Sequence, residues 1–265
     1  HAVGHLLYSR FWNNYLYNKG IVPVKEPFAK LRHQGMILGS NGEKMSKSKG
    51  NVVNPDDMVR QYGTDSLRIY EMFMGPIDAA KPWDPHGISG SKNFLDRVWR
   101  LFVESNKIQE IENKNLEKIY NFTVKKVTND YESMNFNTAI SQMMIFINTA
   151  NKEEILPKEY AEGFLKLLNP VAPHITEEIW NILGHNNTIS YEVWPTFDED
   201  KCKEDEYNLP IQVNGKLRAT LKIPYDTDEE IIKGKAHEAV KSYLDGKSIV
   251  KEIYVKNKIY NIVIK

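Results

Sequence analysis

A single cysteine, Cys202, in 265 residues excludes an internal disulfide and any zinc site built on several thiolates. No apolar run reaches the roughly 20 residues that span a bilayer, so no membrane partner is expected. The first residues lack the basic, apolar and small-residue order of a secretory signal. A cytoplasmic location is therefore expected. The net charge is zero, which argues against a generic polyanion binder. What is present is ordinary: 41% hydrophobic and 26% charged residues, enough chain for two or three packed units.

The charge is unevenly placed. Residues 1–50 carry eight Lys/Arg against two Asp/Glu, and residues 208–265 carry eleven against seven. The stretches 51–90, 91–197 and 198–206 are each net acidic. Two basic ends around an acidic middle suit two separate surfaces that meet phosphate. The chain opens on His1, not Met, and residues 1–18 already have helical spacing of Leu6, Leu7, Phe11, Tyr15 and Leu16. It reads as the C-terminal part of something longer.

Periodicity divides the chain into segments. After the first helix come a turn at Lys19-Gly20, a short strand over 35–38 and a glycine-bounded loop. Asn54-Pro55-Asp56-Asp57 reads as a capped helix start. That helix should end at Gly63, with Thr64 capping the next one. Helical stripes then cover 92–106, 116–133, 137–152, 158–168 and 174–183, joined by short loops as in a bundle. Residues 198–206 read as a solvated acidic linker that frees the following unit to move. Beyond it the period changes to two. Ile211, Val213, Leu217, Ala219, Leu221 and Ile223 alternate around Asn214-Gly215, a strong hairpin signal. Thr227 with Glu230 suggests a capping box for a helix to about Leu244, and strands over 249–255 and 259–264 should pair. These form a small ββαββ unit.

The most informative stretch is 35–68, GMILGSNGEKMSKSKGNVVNPDDMVRQYGTDSLR. A bare Lys44-Met45-Ser46-Lys47-Ser48 is five residues and not specific. Together with Lys49-Gly50-Asn51, the Asn54-Pro55 helix start and the Tyr62 to Arg68 run, it resembles the class I aminoacyl-tRNA synthetases. GPIDAAKPWD (75–84), NFLDRVWRLF (93–102), NFNTAISQMM (135–144), LLNPVAPHITEEIW (167–180) and VNGKLRA (213–219) extend the resemblance to the leucyl family. Valyl, isoleucyl and methionyl relatives, or a non-catalytic RNA-binding derivative, are the alternatives.

The resemblance implies a mixed, mainly α fold. Residues 1–50 would be the remnant of a nucleotide-binding α/β fold, 51–90 a connector of the stem-contact type, and 91–197 an anticodon-binding-like bundle. Residues 198–207 would be the linker and 208–265 the tRNA-binding ββαββ domain. It also implies activation of leucine with ATP and transfer to tRNA(Leu). Lys47 and Lys44 would neutralise phosphate charge, with Met45, Ser46 and Ser48 completing the loop and magnesium riding on the phosphates. The Met36–Ile37 backbone would lie beside adenine, His1 near the adenylate, and His5 near the leucine side chain. Lys216, Arg218, Lys222, Lys256 and Lys258, with Lys247 and Lys251, would face tRNA.

Val3-Gly4-His5 imitates the end of the His-Ile-Gly-His signature of the class. Ala2 stands where its first His belongs, and only 38 residues separate His5 from Lys44, so the match is rejected. The missing N-terminal half is then an expected partner, and the chain alone should be inactive. His174, Glu177 and Glu178 share a helical face, but a helix N-terminus accounts for the carboxylates, and no metal site is expected.

Overall fold

Asn54 starts a helix as its spacing predicts. In the computed structural model, which describes residues 2–202, 206–225 and 227–265, its side chain accepts from the Asp56 N–H at 3.1 Å. Pro55 then opens helix α2 (Pro55–Tyr62). Ahead of it lie a wide helical stretch, Ala2–Tyr8, helix α1 (Ser9–Asn18) and a two-residue strand β1 (Ile37–Leu38). The structure corrects the role of Thr64. Gly63, at φ +89°, lets the chain turn straight from α2 into α3 (Thr64–Phe73), so Thr64 is already helical and no side chain caps it. Strand β2 (Lys81–Pro82) pairs in parallel with β1, a two-residue ladder too short to show as alternation.

The bundle follows. Helices α4 (Gly87–Trp99), α5 (Lys114–Glu132), α6 (Phe136–Ala150), α7 (Lys158–Leu168) and α8 (Pro173–Ile182) match the helical stripes. α4 starts earlier than its stripe and continues as a wide turn over Arg100–Glu104. The core is one cluster built on Phe94, Phe146, Phe164 and Trp180, with Ile69 of α3 inside it. Short strands β3 (Ile108–Gln109) and β4 (Leu156–Pro157) pair in parallel. Among the described residues no helix is long and apolar enough to cross a membrane.

The reading of 198–206 as a free linker is corrected at both ends. The Asp198 N–H donates to Asn121 Oδ1 at 2.8 Å, Glu199 pairs with Lys125 at 2.5 Å, and Lys201 pairs with Glu117 at 2.6 Å. Helix α5 recruits these residues through Asn121, Lys125 and Glu117. Residues 203–205 lie outside the described residues. At the other end, strand β5 (Glu206–Val213) has already begun, with Tyr207 buried.

Contacts divide the chain into two compact units that meet between Lys201 and Cys202. The second holds β5, β6 (Lys216–Pro224), α9 (Glu229–Ala239), α10 (Lys241–Leu244), β7 (Ile249–Val255) and β8 (Ile259–Ile264). The sheet order is β6-β5-β8-β7, with a parallel β5–β8 pair between two antiparallel hairpins. Asn214 (φ +49°), Gly215 (φ +76°) and Asn257 (φ +58°) make the hairpin turns. Ile232, Ala236 and Val240 pack on the inner face. Two further expectations fail locally. Asp228, not Thr227, caps α9, accepting from the Glu230 N–H at 2.9 Å. Leu217 is 60% exposed, because the ladder slips between Ile211 and Gln212 and a one-residue slip turns a side chain outward.

Candidate functional site

The lysine loop is a tight hairpin running into a single helical turn. Leu38 and Lys44 form an isolated antiparallel bridge, and the Gly39 N–H donates to the Glu43 carbonyl at 2.8 Å. Gly42, at φ +76°, makes the bend. Met45 then packs against the cluster of Leu67, Tyr70, Trp83 and Ile88, which also takes Ile37, Met58 and Tyr62. This apolar anchor leaves Lys44 and Lys47 exposed on either side of it. Ser46 is extended (φ −152°), Lys47–Lys49 form one 3-10 turn, and Gly50 closes it at φ +63°.

The charges separate into roles. Lys49 is held by Glu43 at 2.8 Å. Among the described residues, Lys44 and Lys47 have no acidic partner at ion-pair distance. Ser46 Oγ and Ser48 Oγ lie 3.2 Å apart, so the two hydroxyls close on each other. Two compact cations presented to solvent on a fixed backbone are suited to an oligophosphate. Among the described residues no three His, Cys, Asp or Glu side chains gather as a metal ion requires.

Met36 and Ile37 belong to the same assembly. The Met36 carbonyl accepts from the Lys81 N–H at 2.9 Å, and the Leu38 carbonyl from the Trp83 N–H at 2.9 Å. Gly35 is required beside them, since a Cβ there would strike the Ala79 carbonyl. His5 is on a separate element, its ring meeting Phe28 edge-on at 6.0 Å. His1 lies outside the described residues. No residue of α1 is buried, and Leu7, Tyr8, Phe11, Trp12 and Tyr15 are largely exposed.

A second polar joint lies at the start of α8. Asp65, 7% exposed, accepts from the Ile175 N–H at 2.7 Å and meets His174 Nδ1 at 2.7 Å. Arg68 Nη2 donates to the Pro170 carbonyl at 3.0 Å. Glu177 accepts from Thr188 Oγ1 and from the Ile189 N–H. His174 and Glu177 thus have structural partners, on two different elements. Burial alone would raise the Glu177 carboxyl; these hydrogen bonds outweigh it and hold the group below the usual carboxylate range.

Residues 8–84 match the model of class I tRNA synthetases (I, L, M and V), and residues 113–233 match the anticodon-binding domain of tRNA ligases. The agnB2 LeuRS of Agrobacterium radiobacter K84, solved as a ternary complex with tRNA and LeuAMS, is similar over 100% of this chain, at 33% identity and a TM-score of 0.74. The chain belongs to the class I tRNA synthetases. It spans 37% of that LeuRS chain. Methionyl-tRNA synthetase of Mycobacterium tuberculosis, bound by methionyl-adenylate, shares the fold at 17% identity and a TM-score of 0.50, over 82% of this chain and 46% of that one.

In this synthetase chain the second unit carries the basic residues picked out for RNA, and its register distributes them. Lys216 pairs with Val213, which lies beside Ile262 near the end of β8. Lys222 pairs with Asn208, toward the start of β8, where Lys256 and Lys258 flank Asn257. The five therefore lie toward two ends of the sheet, and Arg218 is turned onto the Tyr243 ring at 4.5 Å. The unit is braced by Glu252, which takes Lys233 at 2.7 Å together with His237 and, at 3.2 Å, the Tyr260 hydroxyl.

Burial would raise the Glu252 carboxyl, but its bonds to Lys233 and His237 outweigh that and lower it. A depressed folded-state pKa contributes stability that is present above the unfolded value, about 4.3, and is lost as pH falls through the folded one. Urea unfolding of the second unit should therefore show stability falling below about pH 4.3. Glu252→Gln should flatten that acid limb; an unchanged limb refutes the assignment.

Sequence reasoning missed two residues here. Asn51 was visible only as part of a fingerprint, although an amide following a left-handed glycine is a turn signal. Asp65 had no local signal, because its partners lie 109 and 110 residues away.

Proposed function

We propose that this chain is the lysine-loop and tRNA-facing part of a leucyl-tRNA synthetase, which activates leucine with ATP and transfers it to tRNA(Leu). The observation that carries the reading is an intact, well-anchored lysine loop within a chain that matches LeuRS along its whole length. In activation, a leucine carboxylate oxygen attacks the α-phosphorus, the bond to the bridging oxygen breaks, and pyrophosphate leaves. Lys47 and Lys44 meet the charge on the phosphate oxygens, and magnesium rides on the phosphates. His5 faces the leucine side chain. The exposed apolar residues of α1 suit burial against the remainder of the nucleotide-binding fold.

The test is leucine-dependent ATP–pyrophosphate exchange. The chain alone should give none, and addition of a polypeptide carrying the upstream half should produce it. Exchange driven by valine, isoleucine or methionine in place of leucine overturns the leucyl assignment. For the second unit, the affinity for tRNA(Leu) should fall steeply with salt. Lys256→Ala should shallow that log–log slope by about one. Salt-independent binding refutes phosphate contact.

A further inference from the structure

Asn51 joins parts of the lysine loop that are otherwise separate. Its Oδ1 accepts from the Ser46 N–H at 2.9 Å. Its Nδ2 lies 3.4 Å from the Lys44 carbonyl and 3.4 Å from Asn41 Oδ1. One amide thus grips the backbone on both sides of Met45, between the two exposed lysines. Gly39 leaves the room for it: a Cβ there would lie 2.8 Å from Asn51 Nδ2 and 2.8 Å from Asn41 Oδ1. Gly50, at φ +63°, turns the chain back so that residue 51 can reach residue 46.

The loop's other internal contacts do not duplicate this grip. The Ser46–Ser48 hydroxyl pair and the Lys49–Glu43 ion pair are exposed, whereas the Ser46–Asn51 bond is partly buried. Exposed pairs contribute little in water, and a shielded bond to a backbone donor contributes more.

We infer that Asn51 is the positioning residue of this loop: it holds the backbone that presents Lys44 and Lys47 to the phosphates. It touches no reacting atom. The inference rests on the activation reading above. It adds that placing the lysines depends on an amide outside the five-residue motif, chiefly through its shielded acceptor bond, with the exposed donor contacts at 3.4 Å adding less. An aspartate would keep the acceptor and lose the donor; an alanine would lose both.

Two measurements test this. The first needs no activity: trypsin cleaves after Lys44, Lys47 and Lys49 only when the loop opens locally. Asn51→Ala should raise the cleavage rate in the loop by about tenfold, Asn51→Asp by less, and Gly39→Ala should mimic Asn51→Ala. The unfolding midpoint of the first unit should stay unchanged. Equal loop cleavage in the unaltered chain and Asn51→Ala overturns the inference. The second is exchange kinetics after addition of the upstream half. Asn51→Ala should lower kcat by about tenfold and leave the KM for leucine unchanged, with Asn51→Asp recovering part of the loss. A change confined to the leucine KM also overturns it. If the unaltered assembly shows no exchange with any amino acid, the activation reading fails, and the cleavage comparison still decides the role of Asn51.

Discussion

Lys47→Ala in the chain joined by its upstream half should reduce leucine-dependent exchange by about two to three orders of magnitude, the scale for losing one preorganised charge donor at a developing oxyanion. The loss should fall on kcat more than on the leucine KM, because the lysine meets charge that grows toward the transition state. Lys44→Ala should cost less. Lys49→Ala should cost least, since that ammonium is already committed to Glu43 at 2.8 Å. The anchored Met45 side chain makes the comparison clean: it fixes the loop independently of either ammonium group, so each substitution removes charge without removing the backbone's support. A measured order with Lys49 above Lys47 would refute the assignment.

Asp65→Ala should be the most destabilising polar substitution in the first unit, by about 2–3 kcal/mol in urea unfolding. Both carboxylate oxygens are used. One accepts from the Ile175 N–H at 2.7 Å and the other meets His174 Nδ1 at 2.7 Å. Alanine would leave an amide at the start of α8 without its acceptor, in a place from which water is largely excluded. Asp65→Asn retains an acceptor oxygen and should cost about half as much. His174→Ala should cost under about 1 kcal/mol, because that ring is mostly exposed. A small effect of Asp65→Ala would show that the N-terminus of α8 needs no cap from α3.

What could be read from the sequence was whatever has a local cause. α7 begins and ends where its stripe does, because Pro157 precedes it and residues 169–173 cannot continue it. Asn54-Pro55 fixed the start of α2, and Asn214-Gly215 fixed the hairpin. Features set by distant or competing partners were missed. Leu217 follows the alternation and is nevertheless exposed, because the ladder slip depends on the partner strand. Residues 198–201 look solvated until Asn121, Lys125 and Glu117 are found beside them. For the candidate site, the lysines were legible as a motif. The amide that grips their backbone and the aspartate that ties α3 to α8 were not.

The Asp65 joint also bears on how the first unit comes apart. A contact closing across 110 residues is formed only after a large loss of chain entropy. It cannot survive the melting of either helix it connects. α3 also contributes Ile69 to the bundle core and Leu67 and Tyr70 to the cluster beneath the lysine loop. The lysine loop's floor and the bundle therefore belong to one cooperative block. α1, with no buried residue, lies outside that block.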